Sequence, residues 1–391
     1  MGSGRRCDLA AALLLLFLGI GLAAPHFWSQ VQWSPDGLFY AAQTEEVGGE
    51  SQAAALDKVF SSPLADREKQ HEVHEPPSLR RVDDPEWVTY SAQFYRRRWT
   101  LPVAGAALKP LVGDRDLEDV SLLGLILLGP LLFFFLRSAF PVTGSAIAAG
   151  FCLLLPPVLA LAPHPGTDYL GLATLIAALI ALLRVEKGGW IAMAVWVALM
   201  LLLSFTRDEV IVALTGSAAL AWIRHSRRLW IAVALGVAAY LPSVLLFKVP
   251  LQENLAYVLN EYRIPTQTGW GHILSAYPKQ MAEVLYHDLH YPLETAIPPL
   301  TALMGLVVVA GMVFLFRRRA PLEDLAVVAR GAVVGAIATI LVSMNYTQLR
   351  LEYVFIPAAA VGIAALVTAS TPKVMGRLSG PQVANGRPTL S

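Results

Sequence analysis

Residues 9–24 read LAAALLLLFLGIGLAA, follow Arg5 and Arg6, and end at Pro25. An uncharged run of this length approaches the roughly 17 residues at which a helix can cross a bilayer core. Its basic front and the small residues Gly21 and Ala23 also fit a signal peptide, but Pro25 works against cleavage, so the run is read as a retained first span. Nine further apolar runs follow, at 120–136, 142–162, 169–183, 188–205, 210–223, 229–247, 297–316, 331–344 and 353–369. The chain is 55% hydrophobic and 15% charged, against roughly 25% charged in soluble domains. These runs predict an all-α fold, a polytopic membrane helix bundle of about ten spans.

The basic residues set the orientation. Arg5 and Arg6, Arg137, Arg184 with Lys187, Arg224 with Arg227 and Arg228, Arg317 to Arg319, and Lys373 with Arg377 fall in alternate connections. Short loops rich in Lys and Arg face the cytoplasm, so both termini are expected there, in a plasma-membrane protein. The other, extracytoplasmic side receives two long loops, 26–119 and 248–296, and three short junctions. Residues 1–370 then form a single transmembrane domain, and the Gly-, Pro- and Ser-rich 371–391 reads as a disordered cytoplasmic tail.

A first loop of this length should carry helices of its own. Ala54, Ala55, Leu56 and Val59 have helical spacing within 51–60, while 86–99 places Trp87, Tyr90 and Phe94 on one face ahead of Arg96, Arg97 and Arg98. Aromatic rings beside a basic cluster suit a helix lying at headgroup level. The stretch 61–84 reads as a mobile polar loop, and 101–111, bracketed by Pro102 and Pro110, as a segment dipping into the outer leaflet.

A net charge of +1 gives no global field for nucleic acid. Cys7 and Cys152 support neither a disulfide framework nor a thiolate zinc site. His71-x-x-His74 and His287-Asp288-Leu289-His290 lack a full ligand set, so no metal is assigned to them. A divalent cation held by carboxylates near Asp36 would leave no spacing to read.

Candidate chemistry gathers on the outer side. Ser34-Pro35-Asp36-Gly37 is a turn sequence in which Asp36 would either cap a short helix or serve as a base. In Thr206-Arg207-Asp208-Glu209, three charges near lipid must pair or reach water. Arg207 is either in an ion pair with its neighbours or a phosphate ligand through its guanidinium fork. Asp168, four residues beyond His164, reads as a helix N-cap, and Arg350 with Glu352 forms a third cluster. The spans beginning at Tyr169 and Val210 are short, which would leave Asp168 and 207–209 lining an outward cavity.

Together, Asp36-Gly37-Leu38-Phe39-Tyr40-Ala41, Tyr95-Arg96-Arg97-Arg98-x-x-Leu101-Pro102, Thr206-Arg207-Asp208-Glu209 and the 350–357 stretch resemble integral-membrane glycosyltransferases of the GT-C superfamily. The resemblance implies a polyprenyl-phosphate sugar donor reached from the membrane and a glycan, lipid or protein acceptor. It implies Asp36 as general base with inversion, and Arg96, Arg97, Arg98, Arg207 and Arg350 as donor-phosphate ligands. Tyr40, His164, Asp168, Glu209 and Glu352 are further cavity candidates. The chain departs from better-known branches in having no appended soluble sugar-binding domain and no second acid beside Asp36. A transporter or flippase of a lipid-linked precursor would place charges at the bilayer midplane, where these runs have almost none. A non-catalytic envelope assembly partner, or a lipid-linked polysaccharide ligase, would not need Asp36.

Overall fold

The computed structural model describes residues 3–29, 31, 33–72, 81–162, 164–247, 249–294, 298–317, 323–343 and 352–370. These residues form helices and connections, with no strand among them. In chain order the helices are α1 (Ser3–Trp28), α2 (Pro35–Val47), α3 (Gln52–Phe60), α4 (Pro63–Glu72), α5 (Pro85–Tyr95), α6 (Thr100–Val112), α7 (Asp116–Leu136), α8 (Val142–Leu153) and α9 (Pro156–Leu159). They continue with α10 (Asp168–Ser204), α11 (Val210–Arg224), α12 (Arg227–Leu246), α13 (Leu251–Leu259), α14 (Trp270–Glu294), α15 (Pro298–Arg317), α16 (Glu323–Ser343) and α17 (Ile356–Ser370).

Six stretches among the described residues are long and apolar enough to cross a membrane: Gly4–Trp28, Thr100–Leu136, Asp168–Ser204, Arg227–Leu246, Pro299–Arg317 and Asp324–Leu341. Three shorter apolar helices, Val142–Leu153, Val210–Arg224 and Ile356–Ser370, accompany them. The protein is therefore a membrane protein built as a helix bundle. Leu14, Phe17, Ile191 and Leu306 are exposed on it, as lipid-facing side chains would be. Where helices meet, small residues let backbones approach. A Cβ on Gly331 or Gly335 of α16 would collide with Thr215, and a Cβ on Gly362 of α17 with the backbone of Gly311 on α15.

Two long stretches are folded back on themselves. A straight 37-residue helix over Asp168–Ser204 would hold its ends about 55 Å apart, yet Arg207 contacts Asp168. The turn is at Gly189, whose φ of 62° and ψ of −146° belong to a region that only glycine occupies readily. Thr100–Leu136 is likewise not one rod. It turns at Gly113 (φ 68°), and α6 packs back on the start of α7, where Gly105 faces Leu117 and Asp116. The expected dip of 101–111 is thus a helix packed against its successor.

The remaining expectations fare unevenly. The 142–162 run is broken: α8 ends at Leu153, and Pro156 opens the short α9, because proline cannot continue the preceding ladder. The helix expected over 51–60 is α3, capped by Ser51. Within the supposed mobile loop, 63–72 form α4, with Ala65 buried. The aromatic face of α5 packs inward. Trp87 is 3% exposed and donates its indole N–H to the Tyr262 carbonyl at 2.6 Å, while Phe94 stacks on Tyr257 at 4.2 Å. The 371–391 tail lies outside the described residues.

Helices α2 to α6 form a cap over one end of the bundle, with their own core of Leu38, Phe39, Phe60, Trp87 and Leu101. At the opposite end, Arg137 pairs with Asp8 at 2.7 Å, Arg224 with Asp324 at 2.5 Å, and Arg228 donates to the Glu186 carbonyl.

Candidate functional site

The site is assembled where the cap meets the bundle. Ser34 caps α2, its Oγ accepting from the Gly37 N–H at 3.3 Å, and Pro35 occupies the first helical position. Asp36 therefore lies inside the first turn and is not itself the cap. No Cβ stands at Gly37 to hold α2 away from the loop before α10. A Cβ there would meet Trp33 at 3.3 Å and the Pro165 carbonyl at 3.4 Å. The close approach brings Asp36 and Tyr40 to the head of α10.

Asp36 Oδ1 accepts a 2.6 Å hydrogen bond from the Tyr95 hydroxyl at the end of α5. The Tyr95 ring stacks on Phe39 at 4.5 Å and carries the Arg98 guanidinium over its face at 5.4 Å. Gln43 fixes the same turn by donating to the Tyr95 carbonyl at 2.8 Å. Burial first, and then the Asp36 charge, push the Tyr95 phenol well above its ordinary pKa, so it remains a donor.

Arg98 Nη1 donates to the Tyr40 hydroxyl at 2.9 Å, and that hydroxyl lies 3.3 Å from Thr167 Oγ1. Burial works against the Arg98 charge, but Tyr40, Asp208 and Asp36 outweigh both it and Arg207, leaving its pKa raised. The start of α6 is tied to the α10–α11 junction by the Thr100 N–H, which donates to the Phe205 carbonyl at 3.1 Å. That tie brings Arg97 to Asp208, with which it pairs. Burial would raise the Asp208 carboxyl, yet Arg97, Arg98 and Arg207 together hold it below the usual range.

Arg207 bridges the two arms of α10 and the start of α11. It pairs with Asp168 and, at 3.0 Å, with Glu209. Both acids are buried, at 4% and 2% exposure. Gly171 leaves room for them, since a Cβ there would stand 3.3 Å from Glu209 Oε2.

The structure thus gathers Asp36, Tyr40, Arg97, Arg98, Asp168, Arg207 and Glu209 at one end of the bundle. It corrects several assignments. Asp168 is the first residue of α10, with Thr167 at the cap position and no capping side chain; its carboxylate serves Arg207. Arg207 is in an ion pair with Glu209, as one of its two readings had it, and both acids it meets are buried. Arg96 is exposed and its charge acts on Glu46. His164 is half-buried in the loop beside Pro165. Arg350 lies outside the described residues, as does the side chain of Glu352, whose backbone opens a short 3-10 turn. Tyr95 and Thr167 join the site without having been singled out, and Asp208, expected in the 207–209 cluster, pairs with Arg97. Tyr95 stood beside the basic run, but nothing local marks its hydroxyl for an acid 59 residues away. Compared with known protein families and with curated proteins, the chain matches none.

Proposed function

We propose that this chain is an integral-membrane glycosyltransferase that moves a sugar from a polyprenyl-phosphate donor to an acceptor hydroxyl with inversion. The observation that carries the reading is a carboxylate, Asp36, held by a phenol beside an arginine-rich cluster at one end of an apolar bundle. Asp36 takes the proton of the acceptor hydroxyl as its oxygen bonds to the anomeric carbon. The bond from that carbon to the phosphate oxygen breaks, and the lipid phosphate leaves with the electron pair. Preorganised cations near the leaving oxygen stabilise the charge it gains.

In this reading the Asp36 end faces the extracytoplasmic side and both termini are cytoplasmic. The pairing of Arg137, Arg224 and Arg228 at the other end supports that direction. With the two arms of α10 and the three shorter apolar helices counted as crossings, the bundle has ten. The acceptor is a glycan, lipid or protein on the outer side.

The test is transfer of labelled sugar from polyprenyl-phosphate donors to membrane acceptors by purified wild type and Asp36→Asn with matched melting temperatures. The variant should lose about 100-fold or more in rate while still binding donor. Equal rates would remove the base.

A further inference from the structure

The arginines of the cluster are not equivalent. Arg97 is committed to Asp208, and Arg207 to Asp168 and Glu209. Each is a cation already neutralised by protein carboxylates, and a ligand anion would have to displace one of them. Arg98 differs. The one hydrogen bond that its side chain makes among the described residues goes to an uncharged acceptor, the Tyr40 hydroxyl, and the guanidinium also lies over the face of the Tyr95 ring. Its Nε is enclosed and has no hydrogen-bond partner among the described residues. The residue as a whole is half-buried.

A guanidinium that feels the Asp208 and Asp36 charges but has no carboxylate hydrogen-bonded to it among the described residues, in a place where an unpaired donor is costly, is set up for an acidic oxygen. The nearby Tyr40 and Thr167 hydroxyls add neutral groups that bring no opposing charge. Asp36, which shares Tyr95 with Arg98, accepts from that phenol. A phosphate ester fits this set of donors better than a carboxylate, because its additional oxygens can meet the fork and a hydroxyl at once.

We infer that Arg98, with Tyr40 beside it, is the seat for a phosphate-ester anion, and that Arg97 and Arg207 are internal struts that hold the seat in place. This assignment rests on the reading of the site given above and divides its arginines into ligand and scaffold. It also sets the distance logic of the site: the leaving phosphate on one side of the Tyr95 ring, the Asp36 carboxylate at its hydroxyl edge.

The experiment measures binding without transfer. Full-length protein in phosphatidylcholine nanodiscs is titrated with farnesyl phosphate, farnesol and inorganic phosphate, for wild type, Arg98→Gln, Arg98→Lys and Arg207→Gln, each with its melting temperature. Farnesyl phosphate should bind wild type and lose about tenfold or more in Arg98→Gln at unchanged melting temperature, with part of the loss recovered in Arg98→Lys. Arg207→Gln should melt lower yet, below its transition, keep most of its affinity. Binding of inorganic phosphate with the same Arg98 dependence would support the seat and assign it to a soluble phosphate. Unchanged farnesyl phosphate affinity in Arg98→Gln, equal affinity for farnesol, no binding by wild type, or a selective loss in Arg207→Gln would each overturn it. Arg98-dependent binding combined with absent sugar transfer would instead leave the seat standing and remove the glycosyltransferase reading.

Discussion

Three consecutive arginines just beyond the end of α5, where the chain turns toward α6, go to three different places. Arg96 is drawn toward Glu46, Arg97 to Asp208, and Arg98 over Tyr95. A basic run read from sequence marks a neighbourhood, and only the packing distributes its members. Tyr95→Phe, which keeps the stack on Phe39 and deletes the donor to Asp36, should cost about 1–2 kcal/mol, measured as a lower midpoint in thermal melting, and should slow transfer. Asp208 gives a pH signature. Its folded-state pKa is depressed, so its contribution is present above the unfolded value of about 3.9 and is lost as pH falls through the folded value. Melting temperature should therefore drop below about pH 4 in wild type, and Asp208→Asn, which starts lower, should show a shallower acid decline. An equal slope in both would assign the acid sensitivity to other carboxylates.

At the scale of the helices, hydropathy made the apolar runs legible because lipid leaves a backbone only one economical arrangement along them. What it could not resolve was where a run ends inside a continuous apolar sequence. The 142–162 run carries no charge, yet its helix stops at Leu153; the 169–183 and 188–205 runs are two arms of one element. Those outcomes depend on one proline and one glycine. Gly189→Ala places a side chain at a backbone conformation that costs a non-glycine residue about 1–3 kcal/mol, so the variant should melt earlier with its hydrophobic surface otherwise unchanged. Gly335 makes the complementary case, since a methyl group there collides with Thr215 and the α11 backbone. Gly335→Leu should separate α16 from α11 and lower stability by about 1–3 kcal/mol or more, read as loss of monodisperse protein after detergent extraction.

For the whole molecule, the cap is the part that sequence could least define, since its core forms from residues as far apart as Leu38 and Leu101. A surface clip ties three of its helices together: Glu45 of α2 accepts from Lys58 of α3 at 2.6 Å and from Lys109 of α6 at 2.5 Å. The Lys109 and Lys58 hydrogen bonds lower the Glu45 pKa. Sidedness is testable with single cysteines in a background lacking Cys7 and Cys152. An impermeant maleimide added to intact cells should label Ser61→Cys, on the exposed cap, and spare His225→Cys, exposed at the opposite end; the reverse pattern would invert the orientation. The hairpin of α10 carries one more implication, for biogenesis. Asp168 and Arg207 are 39 positions apart, and each alone would resist passage through hydrocarbon. If the two arms enter the bilayer as one unit, acid and base travel as a neutral couple. The glycine at the bend then sets the piece of nascent chain that must be complete before either charge can cross.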